Sequence, residues 1–230
     1  MPTSGITTFS LSNAGLAVSA YSRIQIRRTA LLAEHMEDAR VETNLMLSKF
    51  SNLQPNLWTV DLVSVPLIQG QVTYDVDPST IQILDAYISF VGQPEGDRLI
   101  FPISRTEYAS YPNKMAQAVP TVFWFDRLIN PTITLWQAPD ASNAYVLNYY
   151  RARQIQDANL PGGEIPEVPY RFLDCMVAEL AHRLSRIWKP ELEAARKQDA
   201  AEAWHVAATQ DTENVPMFIV PQLYNYVNNQ

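Results

Sequence analysis

His35, His182 and His205 are the only imidazoles in the chain, and each falls in a helical pattern with no second histidine three or four residues away. Two ring nitrogens therefore cannot meet on one helical turn to hold zinc, and a single cysteine, Cys175, supplies no thiolate cluster. Cys175 lies in the apolar run FLDCMVAEL, has no partner for an internal disulfide, and reads as a small buried hydrophobe. Around His182, in AELAHRLSR, no nucleophile and orienting group can be named, so an exposed or hydrogen-bonded helix residue is expected there rather than a general base. Gly162-Gly163 sits in LPGGEIP, without phosphate-loop spacing and without a lysine and hydroxyl behind it, and reads as a hinge. Carboxylates are plentiful. Because a glycosidase-type pair is built in space rather than in sequence, lytic chemistry stays open, although Glu34, Glu37 and Asp38, and likewise Glu191, Glu193, Asp199 and Glu202, resemble solvated helix faces. The expectation is no catalytic residue, no cofactor and no metal.

The basic pairs Arg27-Arg28, Arg151/Arg153 and Arg183/Arg186 are too sparse for a nucleic-acid stripe, and the formal net charge is −7. A mildly acidic wall can still let DNA slide past without sticking. The arginines are expected to form ion pairs, within the subunit or across a subunit boundary. Across a boundary, Glu34, Glu37, Asp38, Glu191 and Glu193 would face Arg183, Arg186 and Arg196 of a neighbour. Charged residues make up only 18% of the chain against 47% hydrophobic ones, which suggests surface covered by other subunits. The opening residues lack a signal-peptide pattern and no run approaches a membrane span, so synthesis in the cytosol without a membrane partner is expected.

Residues 213–230 (ENVPMFIVPQLYNYVNNQ) combine grease with two prolines. Pro216 and Pro221 forbid a helix and disfavour a central strand, leaving Val215, Met217, Phe218, Ile219, Val220, Leu223, Tyr224 and Tyr226 on an extended segment that needs a surface to lie on. That surface is either the chain's own core or a partner.

The elements that would carry these residues form two helical blocks around a β-rich middle. Residues 29–53 place Leu32, Met36, Ala39, Met46, Phe50 and Leu53 at helical steps, with Thr43 in the weak slot and Thr29 suited to the N-cap, and a shorter helix precedes them at about 11–24. Seven short β-branched and aromatic runs follow, at 58–65, 71–76, 81–91, 98–104, 121–126, 132–138 and 144–153, with a short helix and loop inserted over 106–119. They predict a small antiparallel barrel or sandwich. After a Gly-Pro linker at 157–169, a stripe of Phe172, Met176, Leu180, Leu184 and Ile187 predicts a helix closed by Trp188 and Pro190, and a last helix runs over about 191–209. The expected fold is α+β: an antiparallel helical bundle (1–57 and 157–212) with an inserted antiparallel β-rich domain (58–156) and an extended C-terminal arm (213–230).

The order of elements, together with ETNLMLSKFSNLQPNLWTVDLVSVPLIQGQVTYDV, DRLIFPISRTEYASYPNK, PTVFWFDRLINPTITLWQAPD and YYRARQIQDANLPGGEIPEVPYRFLDCMVAELAHRLSRIWKPE, resembles the head-to-tail adaptor proteins of short-tailed bacteriophages over about the whole chain. The resemblance implies a structural virion protein at the head-tail junction, assembled in the host cytoplasm as a ring of twelve below the portal. It implies a portal partner above, a tail nozzle or tubular and fibre proteins below, identical subunits laterally, and DNA passing through the channel and retained there. The proline-broken tail, from Val215 to Tyr226, corresponds to an arm that reaches the portal. A β-rich middle of this size departs from adaptors that are almost wholly helical. Two alternatives of other classes are a virion-associated peptidoglycan-degrading enzyme and a non-viral partner-binding module.

Overall fold

The computed structural model describes residues 3–53, 57–142, 144–159 and 163–212. Helix α1 (Asn13–Arg23) starts at Ser12, whose hydroxyl accepts the Gly15 N–H at 3.1 Å. It ends in a Schellman closure: Ile26 N–H donates to the Tyr21 carbonyl at 3.0 Å and Gln25 N–H to the Ser22 carbonyl at 3.1 Å, with Gln25 at φ 65°.

Helix α2 (Ala33–Leu53) begins later than expected. Thr29 is not its cap; residues Arg28–Ala30 form a separate 3-10 turn. The entrance is satisfied instead by His35, whose Nδ1 accepts the Leu32 N–H at 3.2 Å, the reciprocal half of a capping box. The buried stripe of α2 also shifts, to His35, Ala39, Thr43, Met46, Leu47 and Phe50, while Leu32 and Leu53 are exposed. Thr43 tolerates burial because its hydroxyl donates to the Ala39 carbonyl at 2.6 Å.

Helices α4 (Leu173–Trp188) and α5 (Glu193–Gln210) follow the sheet, separated by a Pro190–Leu192 3-10 turn. A short helix α3 (Arg105–Ser110) lies within the β region. Helix α4 packs against α1, α2 and α5 and is buried on more than one face, including Phe172 just before it, Cys175, Met176, Leu180, Ala181 and Leu184. Ile187, counted in the expected stripe, is instead half exposed. The last turn of α5 is pinned by the buried Asp211, which accepts from Arg171 and from the Leu57 N–H at 3.3 Å.

The strands are β1 (Val60–Pro66), β2 (Thr73–Asp75), β3 (Thr80–Phe90), β4 (Gln93–Pro102), β5 (Val122–Asp126), β6 (Thr132–Trp136) and β7 (Tyr145–Arg153). They form one seven-stranded sheet in the order β1-β7-β3-β4-β5-β6-β2. The expectation of an antiparallel domain needs one correction, since β4 and β5 pair in parallel through Phe101↔Val122 and Pro102↔Phe123. The physical reason is the connection: α3 and the loop after it carry the chain back so that β5 starts beside the end of β4, which a tight hairpin cannot do. The sheet curls, so that Val63 and Val65 of one edge strand and Tyr74 of the other join a single apolar cluster with Ile88, Ile100, Phe123, Leu135, Leu147 and Tyr149. A second cluster gathers α1, α2, α4, Ile155 and Ala207. Arg153 of β7 ties the sheet to the helical half through Glu167, whose backbone carbonyl accepts the Trp58 indole N–H at 3.0 Å; the Trp58 ring lies 4.6 Å from Phe172 of the helical cluster.

Candidate functional site

Two of the three histidines, His35 and His182, are buried. His35 is buried, stacked on Trp188 with ring centroids 4.0 Å apart, and edge-on to Tyr21, whose hydroxyl donates to the His35 carbonyl at 2.5 Å. Burial raises the Tyr21 hydroxyl well above its ordinary range, and the charge of Asp38 adds to that. His205 is exposed on α5. Cys175 is buried with its thiol pushed up to about 12, first by burial and then by the nearby Glu179 and Asp174 carboxylates, which leaves it protonated and unreactive.

His182, expected at the surface or hydrogen-bonded, is buried inside a charge cluster that joins α2, α4 and α5. At its centre is the buried Glu179, which accepts from Lys49 at 2.7 Å and from Arg183 Nε at 3.2 Å. Arg183 also reaches Glu42 at 3.1 Å. The His182 Nε2 accepts from Arg186 at 3.3 Å and lies 3.6 Å from Glu193, while Nδ1 faces Glu179 at 3.8 Å without a hydrogen bond. Desolvation, followed by the Arg186 charge, holds the imidazole below its ordinary value and hence neutral. Glu42, Lys49 and Glu179 were absent from the sequence-level candidates. The legible signal was a glutamate inside an apolar stripe, three and four residues before His182 and Arg183.

The charges expected at subunit boundaries divide in two. Arg183, nearly buried, is occupied by Glu42 and Glu179 of its own chain. Asp38 accepts from the Trp188 indole at 3.1 Å, and Glu37 pairs with Arg40 at 2.6 Å. Arg196 pairs with Asp199 at 3.0 Å and lines a cleft of ≈ 500 Å³ between α1, α4 and α5. Glu34 is exposed with no ion pair among the described residues, and Glu191 and Arg186 remain largely exposed beside Lys189 and Glu193. The arginines of β7 are internal: Arg151 binds Asp61 at 2.9 Å and the Thr80 hydroxyl at 3.0 Å, and Arg153 binds Glu167. Val215, Pro216, Met217, Phe218, Ile219, Val220, Pro221, Leu223, Tyr224 and Tyr226 lie outside the described residues.

Two kinds of surface remain open for contact. The outer sheet face presents Leu62, its register partner Tyr150, and then Leu99 and Phe101, all substantially exposed. The β5–β6 turn carries Leu128 and Ile129, the latter 93% exposed. These apolar side chains are open to a partner. Among the described residues no group of three His, Cys, Asp or Glu could hold a metal ion, and no helix is long and apolar enough to cross a membrane.

Residues 20–217 match the family profile of the SU10 adaptor protein, from the middle of α1, through the whole sheet, to just beyond α5. The chain belongs to the SU10 adaptor protein family. That family agrees with the resemblance to phage head-to-tail adaptors drawn from the residues. No curated protein matches the chain significantly. Membership in this adaptor family assigns the chain to structural virion proteins, located in the virion and associated with other virion proteins. The match spans the whole sheet and all of the helical cluster except Leu16 and Ala17.

Proposed function

We propose that this chain forms a ring, of twelve copies, that joins the portal to the tail nozzle of a short-tailed phage, lengthens the DNA channel and helps retain packaged DNA. The observation that carries the reading is the adaptor family match, which runs through both the helical half and the sheet. The four long helices would serve as a bundle in the ring wall, residues 58–156 as a separate domain facing the lower tail proteins, and residues 213–230 as the arm on the portal. The pinned Asp211 gives that arm a fixed point of departure. Binding and occlusion are then the whole mechanism, without catalysis. The net charge of −7 suits a channel wall that repels the phosphate backbone weakly.

The test is imaging of the purified protein mixed with the portal of the same phage. A closed ring on the lower face of the portal is expected. Absence of binding at micromolar concentrations, or release of dye from labelled cell walls by the protein alone, would overturn the reading, the latter in favour of a lytic enzyme.

A further inference from the structure

The segment before α1, residues 3–12 (TSGITTFSLS), carries no charged side chain. It runs without helix or strand to the Ser12 cap, and residues 3–10 exchange no backbone hydrogen bond with the rest of the protein among the described residues. Ile6 is nevertheless 71% exposed and Phe9 64% exposed. Two large apolar side chains thus stand exposed on an uncharged segment without regular secondary structure. The segment also lies outside the residues 20–217 that match the adaptor family, so it is a feature of this chain beyond the matched architecture.

A pocket of matching chemistry exists elsewhere on the protein. Between α2 and α5 a groove of ≈ 290 Å³ is lined by Phe50 and Trp204, whose rings lie 4.8 Å apart, by Leu53, Ala200 and Ala201, and by Glu179 and His182 of α4, the former paired with Lys49. Leu53 is half exposed there. At the rim stand Lys197, exposed, and Lys49, already held by Glu179. Two lysines at the mouth disfavour a cationic occupant, while a neutral segment brings no charge to desolvate. An aromatic floor suits a phenyl ring.

We propose that Ile6 and Phe9 of one copy dock in the α2–α5 groove of a second copy. In extended backbone the two anchors are roughly 10 Å apart, and the ten-residue segment reaches about 33 Å, enough to bridge to an adjacent molecule. The contact is heterologous, a knob on one surface and a hole on another, which is the kind that propagates around a ring. This assignment rests on the reading that identical copies stand side by side.

The test separates the two. A fluorescent peptide of residues 3–12 is titrated into the chain lacking residues 3–10, and its binding is read by anisotropy. Saturable binding is expected, weakened at least tenfold by Leu53→Glu in the protein and by Phe9→Glu in the peptide. Both sites are exposed, so each protein variant should keep the thermal transition of the parent. Mixing the deleted chain, which keeps its groove, with the Leu53→Glu chain, which keeps its segment, should give a one-to-one complex that neither forms alone. No peptide binding, or binding indifferent to Leu53→Glu, overturns the proposal whatever the ring experiment gives. A deleted chain that melts markedly earlier also overturns it, because the segment then serves its own core. Peptide binding without rings on the portal leaves the docking intact and removes only the ring reading.

Discussion

At the scale of single residues, Glu179 is the centre of the charge cluster that joins α2 and α4. Its carboxylate is buried and holds Lys49 and Arg183 together while facing His182. Removing it leaves Arg183 desolvated with only Glu42 to answer it. Glu179→Ala should therefore cost about 3 kcal/mol in urea denaturation, as expected when one partner of a buried pair is deleted. His182 gives a pH dependence whose sign follows from its environment. Its folded value is depressed below the ordinary 6.5, first by desolvation and then by Arg186, so the unfolded chain takes up a proton that the folded chain refuses. The stabilisation is whole above pH 6.5 and is lost as pH falls below it. Urea midpoints from pH 8 to pH 5 should decline in the parent and decline less steeply in His182→Gln. An equal decline in both proteins would place the titrating group elsewhere.

Among the elements, the close of α1 is the least comfortable. Gln25 occupies the left-handed region that a Schellman closure requires, where a side chain other than glycine is strained. Gln25→Gly should raise the thermal transition, by up to about 1 kcal/mol of stability, since relief of strain outweighs the added freedom of the unfolded chain. Short β-branched and aromatic runs between turn residues made all seven strands readable in the sequence, with boundaries displaced by up to five residues. Their pairing was not readable, because the parallel β4–β5 contact depends on where a nineteen-residue connection returns the chain. Helix periodicity located α2 and α4 but misjudged Leu32, Leu53 and Ile187, whose burial is decided by neighbours that periodicity does not specify. The charge cluster was hidden for the same reason. Glu42 and Lys49 on α2 lie about 130 residues before Glu179, and on their own helix they look like solvated surface.

For the molecule as a whole, the division between internal and external charge decides which substitutions report on assembly. Arg183→Glu would place a third carboxylate against Glu42 and Glu179 and unfold the subunit, so it says nothing about rings. Arg186→Glu is the informative change for the proposed ring, since Arg186 is more than half exposed and its own-chain contacts, to His182 and Glu193, are at 3.3 and 3.8 Å; a folded protein that fails to form that ring on the portal is the expected outcome. Deleting residues 214–230 should leave the thermal transition nearly unchanged while abolishing co-sedimentation with the portal; a lower transition would mean that the tail completes its own core. The curled sheet adds a mechanical property. Two blocks, β1-β7-β3-β4 and β5-β6-β2, share an apolar cluster, but their strands pair with each other only along the short parallel junction, bridged by Phe101 N–H to the Thr121 carbonyl at 3.2 Å and Ile103 N–H to the Phe123 carbonyl at 2.8 Å. Amides at this seam should exchange with deuterium before those of the long β3–β7 ladder, reporting a local opening. If the proposed ring holds packaged DNA, such a seam is where its wall would yield: a strain-bearing joint that lets one block shift against the other while each keeps its own strands paired.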